Sequence, residues 1–264
     1  MKMTHTFPHL TFFFLLIGII FSKGIPAENP LICSICFQPL QNEYSVDAWN
    51  NPFHSDHIKE GVFCSSCSRI ISQGITQGGY RYSDGRHLCS LCQVSVVKND
   101  SMINNAYKSV ILQLEKVGIK NIPTNIPVKL INLIELNKKL GNQLHGNLKG
   151  FTQSNQDHNL NISYKIFILY GLPQIEFEAT LAHELLHVWL NNNKYHLKRE
   201  ITEGFCNLGS ALIYSNDGTQ FSKIHLMAME IDPHHIYGNG YRKLHSLKEK
   251  SDWNSLILDL LQIE

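Results

Sequence analysis

"ATLAHELLHVWLNNN", residues Ala179–Asn193, is the stretch on which the reading of this chain turns. Remove His183, Glu184 and His187, and everything up to Leu190 is apolar apart from Thr180. At about 100° per residue, His183 and His187 lie about 40° apart on one helix face, with Glu184 about 100° round from His183. Leu181, Leu185 and Val188 point the other way, and Leu186, Trp189 and Leu190 flank them. A helix that is apolar on most sides is a buried helix. Two imidazoles buried there without partners would each cost on the order of kcal/mol. A divalent metal ion removes that cost by taking one nitrogen from each.

HExxH at this spacing is the pattern a zinc protease requires. The histidines hold zinc, and Glu184 stands beside the fourth position, where it can deprotonate a water. A catalytic zinc takes three protein ligands and keeps one position open. The extension that brings a third histidine after "HxxGxx" is missing, since Asn191–Asn193 lead to Tyr195 and His196 without a glycine. "EITEGFCNLGSAL" (Glu200–Leu212) offers a carboxylate instead. Glu203 heads one face of this second helix, and Ile201, Phe205, Leu208 and Leu212 fill the other side. Glu203 is therefore the expected third ligand, presented by an antiparallel helix as in the glutamate-zincin class. Glu200 competes for the role but sits about 60° off that face. Asn207, one turn on, is placed to accept the free N–H of His183 and orient the ligand. Cys206 reads as an inert core thiol. Further on, "IDPHHIYGNGYRK" (Ile231–Lys243) reads as an ordered loop whose Tyr237, or else His235, can stabilise an oxyanion near zinc. A glycine-rich turn with a packing tyrosine is the alternative.

The first half of the chain has a different texture. Six of the seven cysteines form three CxxC pairs: Cys33 with Cys36, Cys64 with Cys67, and Cys89 with Cys92. "HSDH" adds His54 and His57. The order CxxC, HxxH, CxxC, CxxC makes two closed tetrahedral zinc sites. Cys33, Cys36, His54 and His57 form one; Cys64, Cys67, Cys89 and Cys92 form the other. Closed sites are structural, and in so small a region the metals supply much of the folding energy. Disulfides are the alternative, but adjacent CxxC thiols make strained bridges and the histidine pair would go unexplained. His87, two residues before Cys89, is a competing ligand that reads better as a hairpin residue.

The remainder sets the frame. The chain has 264 residues, 43% hydrophobic and 17% charged, with a net charge of +1. That composition gives a globular core and no electrostatic footprint for nucleic acid or an anionic membrane. "LTFFFLLIGIIF" (Leu10–Phe21) is short for a membrane span and is followed by small residues at Ser22 and Gly24. Residues 1–24 therefore read as a secretory signal peptide cut after Gly24. The mature protein is expected to be exported, periplasmic or extracellular, with membrane attachment only if the leader stays uncleaved. "YSVDAWNNPFH" and "YRYSDGRHLC" read as β-hairpins. "NNAYKSVILQLEKVG" (Asn104–Gly118) has helical spacing, and the first half of "IPVKLINLIEL", "GNLKGFTQS" and "NISYKIFILYG" read as strands. Pro173 is expected to open the HExxH helix as its first residue, and "FSKIHLMAME" and "DWNSLILDLLQ" read as further helices. Sequons at Asn99 and Asn161 matter only where the source glycosylates its proteins.

The CxxC and HxxH order resembles a LIM domain, a tandem zinc module used for protein contacts. It departs in the gap between the two sites, where "IKEGVF" (Ile58–Phe63) replaces the usual two residues. The LIM-like module followed by "LAHELLHVWL", "TEGFCN" and "YGNGYR" resembles the DA-one family, plant regulators of organ size whose C-terminal half is a zinc peptidase. The likeness to exported bacterial relatives is stronger still, through "RYSDGRHLC" and "EGFCN". It covers most of the mature chain and is faint from Ser101 to Leu160. The resemblance implies a gluzincin assignment for His183, Glu184, His187 and Glu203. Plant members are activated by ubiquitin and cleave growth regulators. This chain has a leader and no recognisable ubiquitin-interacting helices, so neither property is carried over.

The resulting expectation is an α+β protein. A small β-rich LIM-like double-zinc module spans 30–95. A zincin-like metallopeptidase domain of mixed sheet plus active-site helices spans 101–264. It would use one catalytic and two structural zinc ions, hydrolyse a protein or peptide substrate, and leave the LIM-like module for substrate or partner contact. The rival expectation is a non-catalytic protein-binding LIM-like protein whose HExxH metal site is structural or idle.

Overall fold

The computed structural model describes residues 18–21, 30–41, 43–141 and 149–260. They form two compact units, one ending at Val96 and the other beginning at Val97. Most of the apolar run Leu10–Phe21, and the expected cleavage point after Gly24, lie outside the described residues. The last four residues of the run, Gly18–Phe21, form strand β1.

In the first unit β1 pairs antiparallel with β2 (Glu43–Val46), which pairs with β3 (Pro52–Phe53). The expected hairpin is present, with Ser45 opposite Phe53. Its turn is organised by the buried carboxylate of Asp47. This accepts from Trp49 N at 2.9 Å, from Asn51 N at 3.0 Å and from Ile70 N at 3.2 Å. A carboxylate buried this deeply is tolerated because backbone donors satisfy it. Short helices α1 (His57–Glu60) and α2 (Gln73–Thr76) follow. A second hairpin joins β4 (Gly79–Arg81) to β5 (His87–Cys89), turning at Gly85 with φ +91°, and α3 (Ser90–Gln93) closes the unit. One apolar cluster is built on only Cys33, Phe53 and Ile70. Such a core is too small to hold the segments alone.

The second unit opens with α4 (Asp100–Lys116), four residues earlier than the spacing alone indicates. The reason is the cap: Asn99 Oδ1 accepts from Met102 N at 3.0 Å, satisfying one of the exposed donors of the first turn. Ile103, Ala106, Tyr107, Val110, Ile111 and Leu114 form its buried stripe. Strand β6 (Val128–Ile131), helix α5 (Leu133–Lys139), and strands β7 (Gly150–Gln156) and β8 (Ile162–Leu169) make a mixed sheet in the order β6-β8-β7. Here β6 and β8 run parallel, β7 is antiparallel to β8, and β6 and β7 are the edge strands. Helix α6 (Gln174–Asn192) starts one residue after Pro173, which serves as the cap rather than the first helical residue.

Helix α6 packs against α4, β7, β8 and α7 (Arg199–Asp217). Leu181, Leu185, Leu186 and Val188 are completely buried, each worth about 1.5–3 kcal/mol as an upper bound. Helix α7 runs antiparallel to it, as expected. Ser210 Oγ donates to Ala179 O at 2.8 Å, and a Cβ on Gly209 would sit 2.7 Å from Leu186 Cδ1. Helices α8 (Gln220–Ile231), α9 (Tyr237–Lys250) and α10 (Trp253–Leu260) complete the unit. The segment Ile231–Lys243 is therefore mostly helix and not the loop expected of it. Gly238 and Gly240 lie inside α9, where a methyl group would overlap the carbonyls of Asp232 and Glu200. Their glycines serve close packing, so they are no sign of a turn. No helix among the described residues is long and apolar enough to cross a membrane.

The crossing of α7 and α9 gives a direct test. A Cβ on Gly204 would overlap the backbone of Gly240, and backbone cannot rotate away as a side chain can. Gly204→Ala should lower unfolding free energy by about 1–3 kcal/mol in urea titrations. Gly218→Asn should change it by less than about 0.5 kcal/mol, because Gly218 has φ +64°, which Asn tolerates, and open space around it.

Candidate metal centres

The antiparallel packing of α6 on α7 brings three donor atoms together. His183 Nε2 and His187 Nε2 are 3.2 Å apart. Glu203 Oε2 lies 3.4 Å from the first and 3.7 Å from the second. Ligands on a tetrahedral zinc at 2.0–2.1 Å stand about 3.3 Å from one another, so the triangle has the size that ion needs. All three side chains are buried, with Glu203 at 0% exposure. Burial pushes His187 below its usual range, against the opposing pull of the Glu203 carboxylate. A neutral imidazole is the ligating form.

Glu184 is 1% exposed. Burial pushes its carboxyl well above the usual range; a hydrogen bond from Thr152 opposes that shift and the charge of Glu203 adds to it. Thr152 Oγ1 lies 2.6 Å from Glu184 Oε2. Neither Thr152 nor Gly150, two residues earlier on β7, was among the residues that the sequence pattern singles out. The one signal available was their shared strand face, and nothing in a linear reading links that face to a glutamate 32 residues on.

The other expected residues fall as follows. Asn207 is on the Glu203 stripe of α7, but its Oδ1 has no hydrogen-bond partner among the described residues and its Nδ2 donates to Tyr237 O at 3.4 Å. Tyr237 is buried, and its hydroxyl accepts from Arg199 Nη2 at 3.2 Å. Arg199, Glu203 and Asn207 are successive turns of α7, so Tyr237 lies along the same stripe as the third ligand. His235 is exposed, its ring stacked on His234 at 4.9 Å between centroids. Glu200 is half-buried, and its carbonyl faces Gly240. The thiol of Cys206 lies within 4.8 Å of the donor nitrogens of His183 and His187. It is thus nearer the site than an inert core position implies. Burial, with Glu203 and Glu184 adding, pushes that thiol well up, while Glu203 Oε2 stands 3.4 and 3.7 Å from the same two nitrogens.

In the first unit the two expected ligand sets assemble. Cys33, Cys36, His54 and His57 converge, as do Cys64, Cys67, Cys89 and Cys92. All seven cysteines are free thiols. Cys67 Sγ and Cys89 Sγ stand 3.7 Å apart, the separation of about 3.8 Å that tetrahedral zinc at 2.3 Å from each sulfur requires. His54 Nδ1 lies 3.4 Å from Cys36 Sγ, while its Nε2 is 3.2 Å from Pro39 O. The carbonyl holds the proton on Nε2 and leaves Nδ1 as the ligand. The Nε2 atom of His57 is buried without a hydrogen-bond partner among the described residues, as befits an atom that needs a metal. Burial raises the Cys33 thiol, but backbone N–H donors of Cys36, His54 and Ile35 outweigh it and bring the thiol down to about 6. Contact with Cys67 brings Cys64 down to about 7. His87 belongs to the β4–β5 hairpin, and no metal-ligand group among the described residues contains it.

These features define a mixed α/β protein with a metal-binding, LIM-like cysteine and histidine module. Comparison with known proteins finds similarity to one family over part of the chain. Residues 129–216 match the family model described as DA1-like: Protein DA1, and this range holds His183, Glu184, His187 and Glu203. "Protein DA1-related 1" of Arabidopsis thaliana is 25% identical over 194 residues, covering 61% of this chain and 34% of the relative. "LIM domain-containing protein HDR3" of Oryza sativa subsp. japonica is 25% identical over 220 residues, covering 68% of this chain and 43% of the relative. "Protein DA1-related 7" of Arabidopsis thaliana reaches 50% over 44 residues, 16% of this chain and 8% of the relative. The chain thus spans well under half of these relatives. The likenesses support kinship with the DA1 family. No solved structure matches the chain.

Three ligand groups predict three zinc ions per chain by metal analysis. His187→Ala should lose one and leave the first unit folded. Cys64→Ser should lose a different one and expose that unit to proteolysis, because its core cannot replace the ion.

Proposed function

We propose that the protein is an exported zinc-dependent endopeptidase of the glutamate-zincin type, its second unit a zincin-like catalytic domain. The observation that carries this reading is the convergence of His183, His187 and Glu203 within 3.2–3.7 Å of one another, with Glu184 buried next in sequence to a ligand. A zinc ion in this site supplies Lewis acidity to water and to a substrate carbonyl.

The protein's own groups do the rest. Glu184 takes a proton from the attacking water and delivers it to the leaving amine. Burial, with the Glu203 charge adding and the Thr152 hydrogen bond opposing, raises its pKa, the direction that suits a carboxyl group that must both accept and return a proton. Tyr237, held along the Glu203 stripe, is the first candidate to stabilise the developing oxyanion, and His235 the second. A cavity of about 330 Å³ has His187 in its wall, with Leu190, Asn191, Tyr195, Leu197 and Thr202. Its volume suits one substrate side chain. The edge strand β7, whose Thr152 reaches Glu184, offers backbone groups to an extended peptide. The LIM-like module contacts substrate or a protein partner, and the leader directs export.

A second reading has its own observation: one relative is named for a LIM domain, and the first-unit ligand sets are as complete as the HExxH set. In that reading the protein binds partners and its α6–α7 metal is structural. A metal held only for structure has no use for Glu184. Glu184→Gln should retain all zinc and lose at least about a hundredfold in cleavage of a denatured protein. Cleavage equal to the parent's would move catalysis elsewhere, and an inactive parent with full zinc would favour the binding reading.

A further inference from the structure

Helix α6 fixes the Cα of Glu184, but three rotatable bonds separate that atom from the carboxylate oxygens. What holds the carboxylate is strand β7. Gly150 and Thr152 are two apart, so they occupy one face of the strand, and that face meets Glu184. Thr152 is 4% exposed. Its hydroxyl stands 2.6 Å from Glu184 Oε2 and 3.2 Å from Glu184 O. A hydroxyl has one proton to give, and the shorter contact to the carboxylate takes it. At Gly150 a Cβ would sit 2.5 Å from Glu184 Oε1 and 2.7 Å from Thr180 Cγ2. Glycine leaves the space that the carboxylate fills.

The strand itself is held at both ends of this contact. Gly150 and Thr152 pair with Ile168 and Ile166 of β8. Immediately before them Lys149 Nζ lies 2.5 Å from Glu176 Oε1, in a buried ion pair that ties the start of β7 to α6 two turns ahead of Glu184. Helix and strand therefore cannot slide past each other without breaking that pair.

We propose that Thr152 is the positioning residue for Glu184: its hydroxyl locks one carboxylate oxygen, and Gly150 provides the room in which the group is locked. The catalytic consequence rests on the peptidase reading; the positioning does not.

The test uses the zinc-loaded full chain as parent, Thr152→Val, which keeps the shape and removes the hydroxyl, and Thr152→Ser, which restores it. Two readouts are taken. One is kcat and KM on a peptide substrate. The other is the affinity for acetohydroxamate, a zinc chelator whose hydroxyl is bound by a correctly placed carboxylate. Thr152→Val is expected to keep its zinc and its melting temperature, lose about tenfold to a hundredfold in kcat at unchanged KM, and bind acetohydroxamate about tenfold more weakly. Thr152→Ser should recover most of both losses. Parental kcat and affinity in Thr152→Val would overturn the proposal, as would equal losses in the serine variant, which would mark a packing role. Should the valine variant fail to fold, Thr152→Ala is compared with Thr152→Ser under the same two outcomes. A parent that binds acetohydroxamate but cleaves nothing sinks the peptidase reading alone, and the affinity of the variants still decides the role of Thr152. A zinc-loaded parent that does not bind it overturns both.

Discussion

The second unit depends on one constraint: two imidazoles and two carboxylates buried together between α6 and α7. Leu181, Leu185, Leu186 and Val188 contribute about 1.5–3 kcal/mol each by burial, but uncompensated charge on the α6–α7 face would cancel several of them. The unit resolves the conflict by clustering. Nitrogen and oxygen donors from α6 and α7 meet at 3.2–3.7 Å, and the second carboxylate, Glu184, takes a hydrogen bond from a neighbouring strand. A divalent cation would complete this arrangement electrostatically.

Close approach of backbones makes the cluster possible. Gly209 lets α7 settle on Leu186, and Gly204 and Gly240 let α9 settle on α7. The last contact places Tyr237 along the Arg199–Glu203–Asn207 stripe, with its hydroxyl at one end and its carbonyl at the other. Helix packing and site chemistry are thus one problem in this unit. The first unit solves a different one. With so few fully buried apolar side chains, it relies on sulfur and nitrogen donors whose spacing already matches zinc, and on Asp47 to gather the backbone donors of its turn.

Much of this was legible in the linear chain because it is written in short-range periodicity. The i and i+4 spacing of His183 and His187, the apolar surroundings of α6, and the CxxC and HxxH pairs are local patterns, each with a local physical cause. Strand and helix assignments followed where alternation or a 3.6-residue period was strong, as in β8 and α7. They were displaced where a single cap decided the boundary, as Asn99 does for α4. The glycines of "YGNGYR" were misleading for the same kind of reason. A glycine that serves turn geometry and one that serves helix contact are identical in sequence, and only the neighbouring carbonyls of Asp232 and Glu200 tell them apart.

By itself the sequence determined which residues can ligate metal, how they divide between a small cysteine-rich unit and a larger helical one, and that HExxH sits on a buried helix. These follow from residue chemistry and spacing within one element. Tertiary structure alone decided the distances at which the expected ligand Glu203 meets the two imidazoles, that Cys206 stands close to them, that Asn207 turns its amide nitrogen to Tyr237, and that Thr152 grips Glu184. Each of those is a contact between separate elements, whether consecutive helices or a strand and a helix more than 30 residues apart, or a choice of rotamer under pressure from a neighbour. Such contacts depend on how packed surfaces fit, and no repeat in the linear pattern encodes that fit.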